Sequence, residues 1–423
     1  MRRLLALAAF FLAAPLWAFD VSGQLYTLPQ YTWNGKDSPF DFGTIPSGSA
    51  QNETDLELRL EHEGFRVVGR GGVLATEGGH TEDASVLSEA LWEGKLAGLP
   101  VSLGKKIISW GVGFGWRPLD VIGRENRQRL YMDTPEGVWQ ASVSHFGATD
   151  ALTLMFANPG RGQEDDVLED ESVAMNYYRL MGGVDLHLVA RASRRNSAQA
   201  GAGFSYVAGE HLEWHGEALY EQRHERLGLR SPRNILFRRL DLCSAVSAWF
   251  RCMRQVGMED VLEMKEEGRD AKALFGGTWT WANGIMFLGE AWFDGSAFSE
   301  KEWERFVRAS EAARTLLEFF PSFRPQANMD ILEGDPTLPQ QNIMRTSLFF
   351  RLGQMSPAAW LNWAGEWLVN PEDNGWVGTV RLVHRGKTQN VGLLFRQLGG
   401  PRRSGFGSLP GESTGLVFWE RPF

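Results

Sequence analysis

The stretch DLELRLEHEG, residues 55–64, decides the fold. Leu56, Leu58 and Leu60 fall on one side of an extended chain, and Glu57, Arg59 and Glu61 fall on the other. That period is two, the period of a strand; an amphipathic helix would need 3.6. HLEWHGEALYEQ (211–222) repeats the pattern, with Leu212, Trp214, Gly216, Ala218 and Tyr220 against Glu213, His215 and Glu217. PAAWLNWAGEWL (357–368) repeats it again, with Leu361, Trp363 and Trp367 against Asn362 and Glu366. In water such strands would pack their apolar side on a core. In a closed membrane barrel the same side meets lipid and the charges face a wet lumen.

The two ends choose between these. MRRLLALAAFFLAAPLWA (1–18) reads as a secretory signal. Arg2 and Arg3 are its charged start, and Leu4 to Ala14 its apolar run, too short to span a bilayer. Ala18 is the expected last residue removed, which leaves a single domain over 19–423. GLVFWERPF (415–423) ends on an aromatic residue, Phe423. A chain bound for an outer membrane cannot carry long apolar helices, because the inner membrane would retain them. It hides its apolar surface as alternation and closes the sheet on itself. No later segment reaches eighteen consecutive apolar residues, which excludes membrane-spanning helices.

Composition agrees. The 48 glycines suit turns and crowded lumen walls, and the 17 tryptophans suit aromatic girdles at the two membrane interfaces. The formal net charge of -9 argues against a nucleic-acid partner. The two cysteines, Cys243 and Cys252, are a candidate local disulfide in an oxidising compartment; the alternative is a pair of free thiols. A metal site would need further ligands, and no cofactor is expected.

The connectors give an independent test. Strands are expected at 20–33, 53–63, 65–76, 86–97, 100–108, 137–146, 150–157, 173–181 and 184–192. The series continues with 199–208, 211–222, 272–282, 285–294, 343–352, 357–368, 375–385, 388–397 and 414–423. Short turns and long connections alternate along it, as in porin-type barrels with both ends on the periplasmic side. The expectation is therefore an all-β, antiparallel transmembrane barrel of about eighteen strands, sixteen at the least, with 414–423 pairing with the first strand. Residues 235–250 leave room for an extra strand pair. SEKEWERFVRASEAARTLLEFF (299–320) predicts a helix inside a long connection, capped by Ser299 with Glu302 three residues on and stopped by Pro321. A second short helix is expected within 243–266.

LGKKIISWGVGFGWRPLDVIGREN (103–126) is the most distinctive segment. Its glycine-spaced run, Gly111, Gly113 and Gly115, lets the backbone bend or approach another segment closely. It is no nucleotide loop, since no Lys-Ser/Thr pair follows and a barrel offers no βαβ unit. The connection 109–136 is expected to fold inward and narrow the lumen.

Gly104, Lys105, Trp110, Gly111, Pro118, Leu119 and Asp120 form a strand end followed by a Pro-Leu-Asp turn. This resembles the signature of porin-like outer-membrane proteins related to the alginate-export family. The resemblance implies a channel for small or polymeric solutes, guided by charged lumen residues. Near the constriction it points to Lys105, Arg117 and Asp120. From the strands it points to Glu57, Arg59, Glu61, Asp185, His187, Glu213, Glu217, Glu366, Arg381 and Arg396. Alginate exporters are expected to show a polyanion a strongly basic lumen, whereas here both signs occur.

Catalysis finds little support. Ser144 and His145 are adjacent and point to opposite faces of a strand, so they form no dyad. His211 and His215 lie about 13 Å apart along a strand, too far to share a metal without a third partner. A plugged, energised transporter would need a large N-terminal domain, yet alternation begins by residue 53. The expected function is an outer-membrane channel for a hydrophilic small or oligomeric solute, with lumen charges and the inward loop setting selectivity. The alternatives are a plugged structural or partner-binding barrel, using loops 223–271 and 295–342, and an exopolysaccharide exporter. Expected partners are membrane lipid, the solute and the barrel-assembly machinery, with Phe423 in the assembly signal.

Overall fold

In the structure, a computed structural model, the described residues are 19–35, 38–40, 47–77, 79, 81–123, 135–159, 170–194, 196–229, 262–319, 342–354, 356 and 359–423. The first half of the barrel runs β1 (Asp20–Asn34), β2 (Gly48–His62), β3 (Phe65–Thr76), β4 (Thr81–Leu96), β5 (Leu99–Lys106), β6 (Val138–Phe146), β7 (Asp150–Ala157), β8 (Ser172–Met181) and β9 (Val184–Ser193). The second half runs β10 (Ser197–Ala208), β11 (Leu212–Glu221), β14 (Asp270–Thr280), β15 (Ile285–Asp294), β16 (Thr346–Gln354), β17 (Leu361–Asn370), β18 (Gly375–Arg385), β19 (Asn390–Gly399) and β20 (Gly411–Pro422). Each pairs antiparallel with the next, β11 pairs with β14, and the 18-stranded sheet closes where β20 meets β1. Closure satisfies the backbone groups that an open edge would leave bare in lipid, at several kcal/mol each.

The alternation seen in sequence is realised in space. Leu56 and Leu58 stay 39% and 40% exposed on the outer face, while Asp55 between the strands' inner faces is 1% exposed. Outward aromatic residues gather toward the two ends of the strands. Phe65, Trp214, Trp279 and Phe287 lie toward one end, and Trp33, Trp139, Phe293 and Trp367 toward the other. This is the girdle pattern of a barrel in a bilayer. The tight turns at Glu63–Gly64 and Gly182–Gly183 put both residues at positive φ, the twist that suits two-residue hairpins.

Three differences from the sequence reading are physical. First, β2 begins at Gly48 and β4 at Thr81, ahead of the expected 53 and 86. Polar residues there continue the ladder, with Thr32 opposite Ser49 and Leu74 opposite Glu82. Second, a strand pair not expected at these positions, β12 (His224–Leu229) with β13 (Leu262–Glu267), lies outside the barrel sheet. Residues 235–250 and both cysteines, Cys243 and Cys252, lie outside the described residues, as does all of 243–266 before Leu262. Third, β17 starts at Leu361, not at 357.

The expected helix is present as α1 (Glu300–Phe319). Ser299 donates its N–H and its hydroxyl to Glu302, at 3.0 and 2.7 Å, which fixes the first turn. Trp303, Phe306 and Val307 bury one stripe of α1 against Phe40, Phe298 and Met344. Ser38 donates to the Ser408 carbonyl at 2.6 Å, and Arg403 pairs with Glu311 at 2.9 Å. The connections that follow β1, β15 and β19 thus join into one packed cap at the mouth opposite the tight turns.

Candidate pore constriction

Residues 107–123, between β5 and β6, lie against the inner wall. Six consecutive backbone N–H groups are taken up in pairs by three carboxylates. Trp110 and Gly111 donate to Asp120 at 2.6 and 2.8 Å. Val112 and Gly113 donate to Glu217 on β11, the latter at 2.7 Å. Phe114 and Gly115 donate to Glu290 on β15 at 2.7 and 2.8 Å. Leu119 then returns a seventh N–H to the second oxygen of Glu217 at 2.8 Å. Charge-assisted bonds of this kind each contribute about 1.5–3 kcal/mol.

The glycine spacing now has a cause. A side chain at Gly113 would run into the Trp116 carbonyl and Leu274, and one at Gly115 into Trp292 and Phe349. Odd positions of the run therefore lie on the wall. Phe114, between them, is 49% exposed and sits edge-on to His215 at 5.3 Å.

Apolar contacts complete the seat. Trp116 packs with Leu274 and Trp292, flanked by Phe349 and Leu368. Leu119, Val121 and Ile122 bury against Met155, Ala157, Ala174, Val189 and Leu219. The segment therefore covers the inner faces of β7 to β9, β11 and β14 to β17. Glu290 is itself fixed from behind by Trp292 Nε1 at 3.0 Å and by His215 Nε2 at 3.0 Å. The other ring nitrogen of His215 faces Glu213 at 3.1 Å.

The sequence-derived candidates fall into three groups. Asp120 and Glu217 hold the segment. Burial pushes the Asp120 carboxyl above the usual carboxylate range; bonds from Gly111, Trp110 and Ser109 and the nearby Arg117 pull the other way. Arg117 donates through Nε to the Gly113 carbonyl at 2.8 Å and braces the same turn. Lys105 is buried and its ammonium meets Glu136. Gly104 before it, at φ 119°, breaks the strand's alternation.

A second group stands on the inner faces of β2 and of β17 to β19. Glu57, Arg59 and Glu61 share the inner face of β2, with Glu61 bound by Arg66 at 2.9 Å. Glu366, Arg381 and Arg396 are on β17, β18 and β19. Arg351 on β16 approaches Glu366 at 3.6 Å, and Arg396 donates to Thr379 at 3.3 Å. A third group is occupied locally. Asp185 accepts from Tyr178, and His187 lies 5.2 Å from the Tyr178 ring. Glu213 is the partner of His215. Ser144 bonds Thr153 at 2.9 Å, on the face away from His145.

Glu290 and Arg351 escaped the sequence reading. Each is the one charge in an otherwise uncharged run, IMFLGEAW and TSLFFRLG. A solitary charge inside a barrel strand is the signal that would have found them. The closing pair, Phe423 and Gly23, exchange both backbone bonds at 2.9 and 3.0 Å.

No family model matches the chain, and no curated protein matches it in sequence. Its fold is similar to that of OccK5 (OpdH) of Pseudomonas aeruginosa, with a TM-score of 0.52, 10% identity, and 96% of this chain and 98% of that chain covered. It is similar also to OccK2 (OpdF) of Pseudomonas aeruginosa, solved in complex with glucuronate, with a TM-score of 0.51, 10% identity and the same coverage. OpdK of Pseudomonas aeruginosa, solved with vanillate, gives 0.51, 10% and again 96% and 98%. These are substrate-specific outer-membrane porins with 18-strand barrels. The likeness is one of fold. It supports a porin-like barrel and lends no support to the resemblance to the alginate-export family.

Proposed function

We propose that this chain is a passive channel in a bacterial outer membrane, passing small hydrophilic solutes. The observation that carries the reading is the seated segment 107–123. It narrows one half of the lumen and leaves a charged wall, from β18 through β20 and β1 to β4, along the other half. Barrels of this strand number leave an aqueous path where loops do not fill it. The similar porins solved with glucuronate and vanillate support a solute of small size. Residues 1–18 serve as the export signal, and Phe423 belongs to the signal for barrel insertion. Lys105, Arg117 and Asp120 act on the solute through the shape of the segment they brace. Glu57, Arg59, Arg381 and Arg396 act on it through charge.

The test is planar-bilayer recording of the purified, folded protein. Discrete current steps are expected. No current, even after residues 109–136 are shortened, would favour the rival, a plugged barrel that recruits a partner through 223–271 and 295–342.

A further inference from the structure

His215 lies beneath segment 107–123 and is 0% exposed. Its surroundings come from five elements. On its own strand, β11, Glu213 sets its two carboxylate oxygens 3.2 and 3.1 Å from Nδ1. From β15, Glu290 Oε1 stands 3.0 Å from Nε2. From the segment, Phe114 covers the ring edge-on at 5.3 Å. The residues opposite it on β10 and β14 are Ser205 and Gly276. Glu217, two residues along β11, gives its oxygens to the segment. The charges that act on the ring are those of Glu213 and Glu290.

Gly276 makes the arrangement possible. It pairs with His215 on one side and with Glu290 on the other. A Cβ there would stand 2.7 Å from His215 Nε2 and 2.6 Å from Glu290 Cγ. The two side chains therefore meet across the bare backbone of β14. The hydrogen bonds then assign the protons. A carboxylate accepts and does not donate. Glu290 already accepts from Phe114 N–H on Oε1, and from Gly115 N–H and Trp292 Nε1–H on Oε2, so its fourth acceptor place is the one that faces Nε2. Both ring nitrogens face acceptors, both carry hydrogen, and His215 is an imidazolium. The two carboxylates differ in freedom. The Glu290 side chain is 0% exposed and is held by three further donors, whereas that of Glu213 is 22% exposed and has the ring as its partner among the described residues.

Resting on the channel reading above, we propose that His215 is a specificity-determining residue: its positive ring masks Glu213, and loss of one ring proton unmasks that carboxylate toward the lumen. As pH rises, Nδ1–H gives its proton to water. Nε2–H stays on Glu290, which is fixed and cannot turn away. The neutral ring then presents a lone pair to Glu213, and the two carboxylates lose the cation between them. Glu213 turns into the water of the passage. The segment keeps its seat, because the bonds from Phe114, Gly115 and Trp292 to Glu290 are untouched. The passage gains negative charge without gaining width, and its preference moves toward cations.

The experiment is the reversal potential across planar bilayers in asymmetric KCl, stepped from about pH 6 to about pH 10. The potassium-to-chloride permeability ratio of the wild-type protein is expected to rise about twofold over that range, with open-state noise unchanged. In E213Q the ring can be neutral at every pH, with Nε2–H on Glu290 and Nδ1 accepting from the new amide, and the ratio should stay flat. In H215Q no imidazolium masks Glu213, and the ratio should start high at about pH 6 and stay there. Heat-modifiable gel mobility reports that each variant is folded, and the comparison of wild type with E213Q stands without H215Q. If the wild-type ratio is flat, or if E213Q rises as the wild type does, the masking is wrong and the channel reading survives. If folded wild-type protein carries no current at any pH, the channel reading fails and the masking with it.

Discussion

Replacing Glu217 by glutamine tests the link between one side chain and the width of the lumen. Glu217 accepts three backbone N–H bonds from segment 107–123: Val112 and Gly113 on one oxygen, Leu119 on the other. A glutamine has one acceptor oxygen and one NH2. Whichever way the amide turns, at least one N–H loses its acceptor and faces a donor instead. An unsatisfied buried N–H costs about 1–3 kcal/mol, and the remaining bonds lose their charge assistance, about 1 kcal/mol each. The seat weakens by about 3–5 kcal/mol. The strands keep their backbone ladder, since Glu217 acts only through its side chain. The expected phenotype is a folded barrel with larger single-channel conductance, more open-state noise, and a new chymotryptic cleavage after Trp116, which the seat keeps buried. Planar-bilayer recording and limited proteolysis read these directly. If Glu217→Gln and Glu217→Ala both conduct with wild-type amplitude and noise and resist chymotrypsin equally, the carboxylates do not hold the segment and the argument fails.

Three further outcomes follow from the same geometry. Gly115→Val places a branched side chain against Trp292 and Phe349, and should displace the segment much as Glu217→Gln does, with conductance as the readout. Leu119→Ala empties a site that is fully buried among Val121, Ile122 and the wall residues, at about 2–5 kcal/mol, and chymotrypsin sensitivity of the segment should rise without loss of the heat-modifiable barrel band. Deleting Phe423, or replacing it with aspartate, removes the aromatic end that meets Gly23, and should lower the amount inserted in the outer membrane while leaving synthesis and secretion intact; membrane fractionation checks it.

Most of the barrel was legible because strand alternation is a local property. Leu56, Leu58 and their charged neighbours report a two-sided sheet without reference to any other residue. The alternation of short and long connections then fixed the parity of the strands, and with it the pairing of β20 with β1. The extents of β2 and β4 were less legible, because polar residues beyond the membrane band can continue a ladder or leave it, and only the neighbouring strand decides. The site was legible in its unusual segment and not in its logic. WGVGFG announced a close approach of backbone to something. Nothing local said that the partners would be Glu217, 104 residues beyond Gly113, and Glu290, 176 beyond Phe114. Long-range pairs of this kind leave no periodic trace.

The same fact explains why net charge is a poor guide to this lumen. A chain of net charge -9 would be expected to line its passage with carboxylate and favour cations. Several of its inward acids are not available for that. Glu217 and Glu290 face the N–H groups of the segment, and Glu290 and Glu213 bracket His215. Glu221 pairs with Lys272 at 2.9 Å, and Lys106 holds Glu93 at 2.6 Å. Each of these acids serves the architecture, and its charge is compensated where it stands. The field a solute meets is set by the charges on the strands the segment leaves bare, β18 to β20 and β1 to β4, where Arg381, Arg396, Glu57 and Arg59 stand. Selectivity in such a channel follows the placement of a few residues across three or four strands. Reversal-potential measurements should therefore move more with a single change at Arg381 or Arg59 than with any change at Glu221 or Glu93.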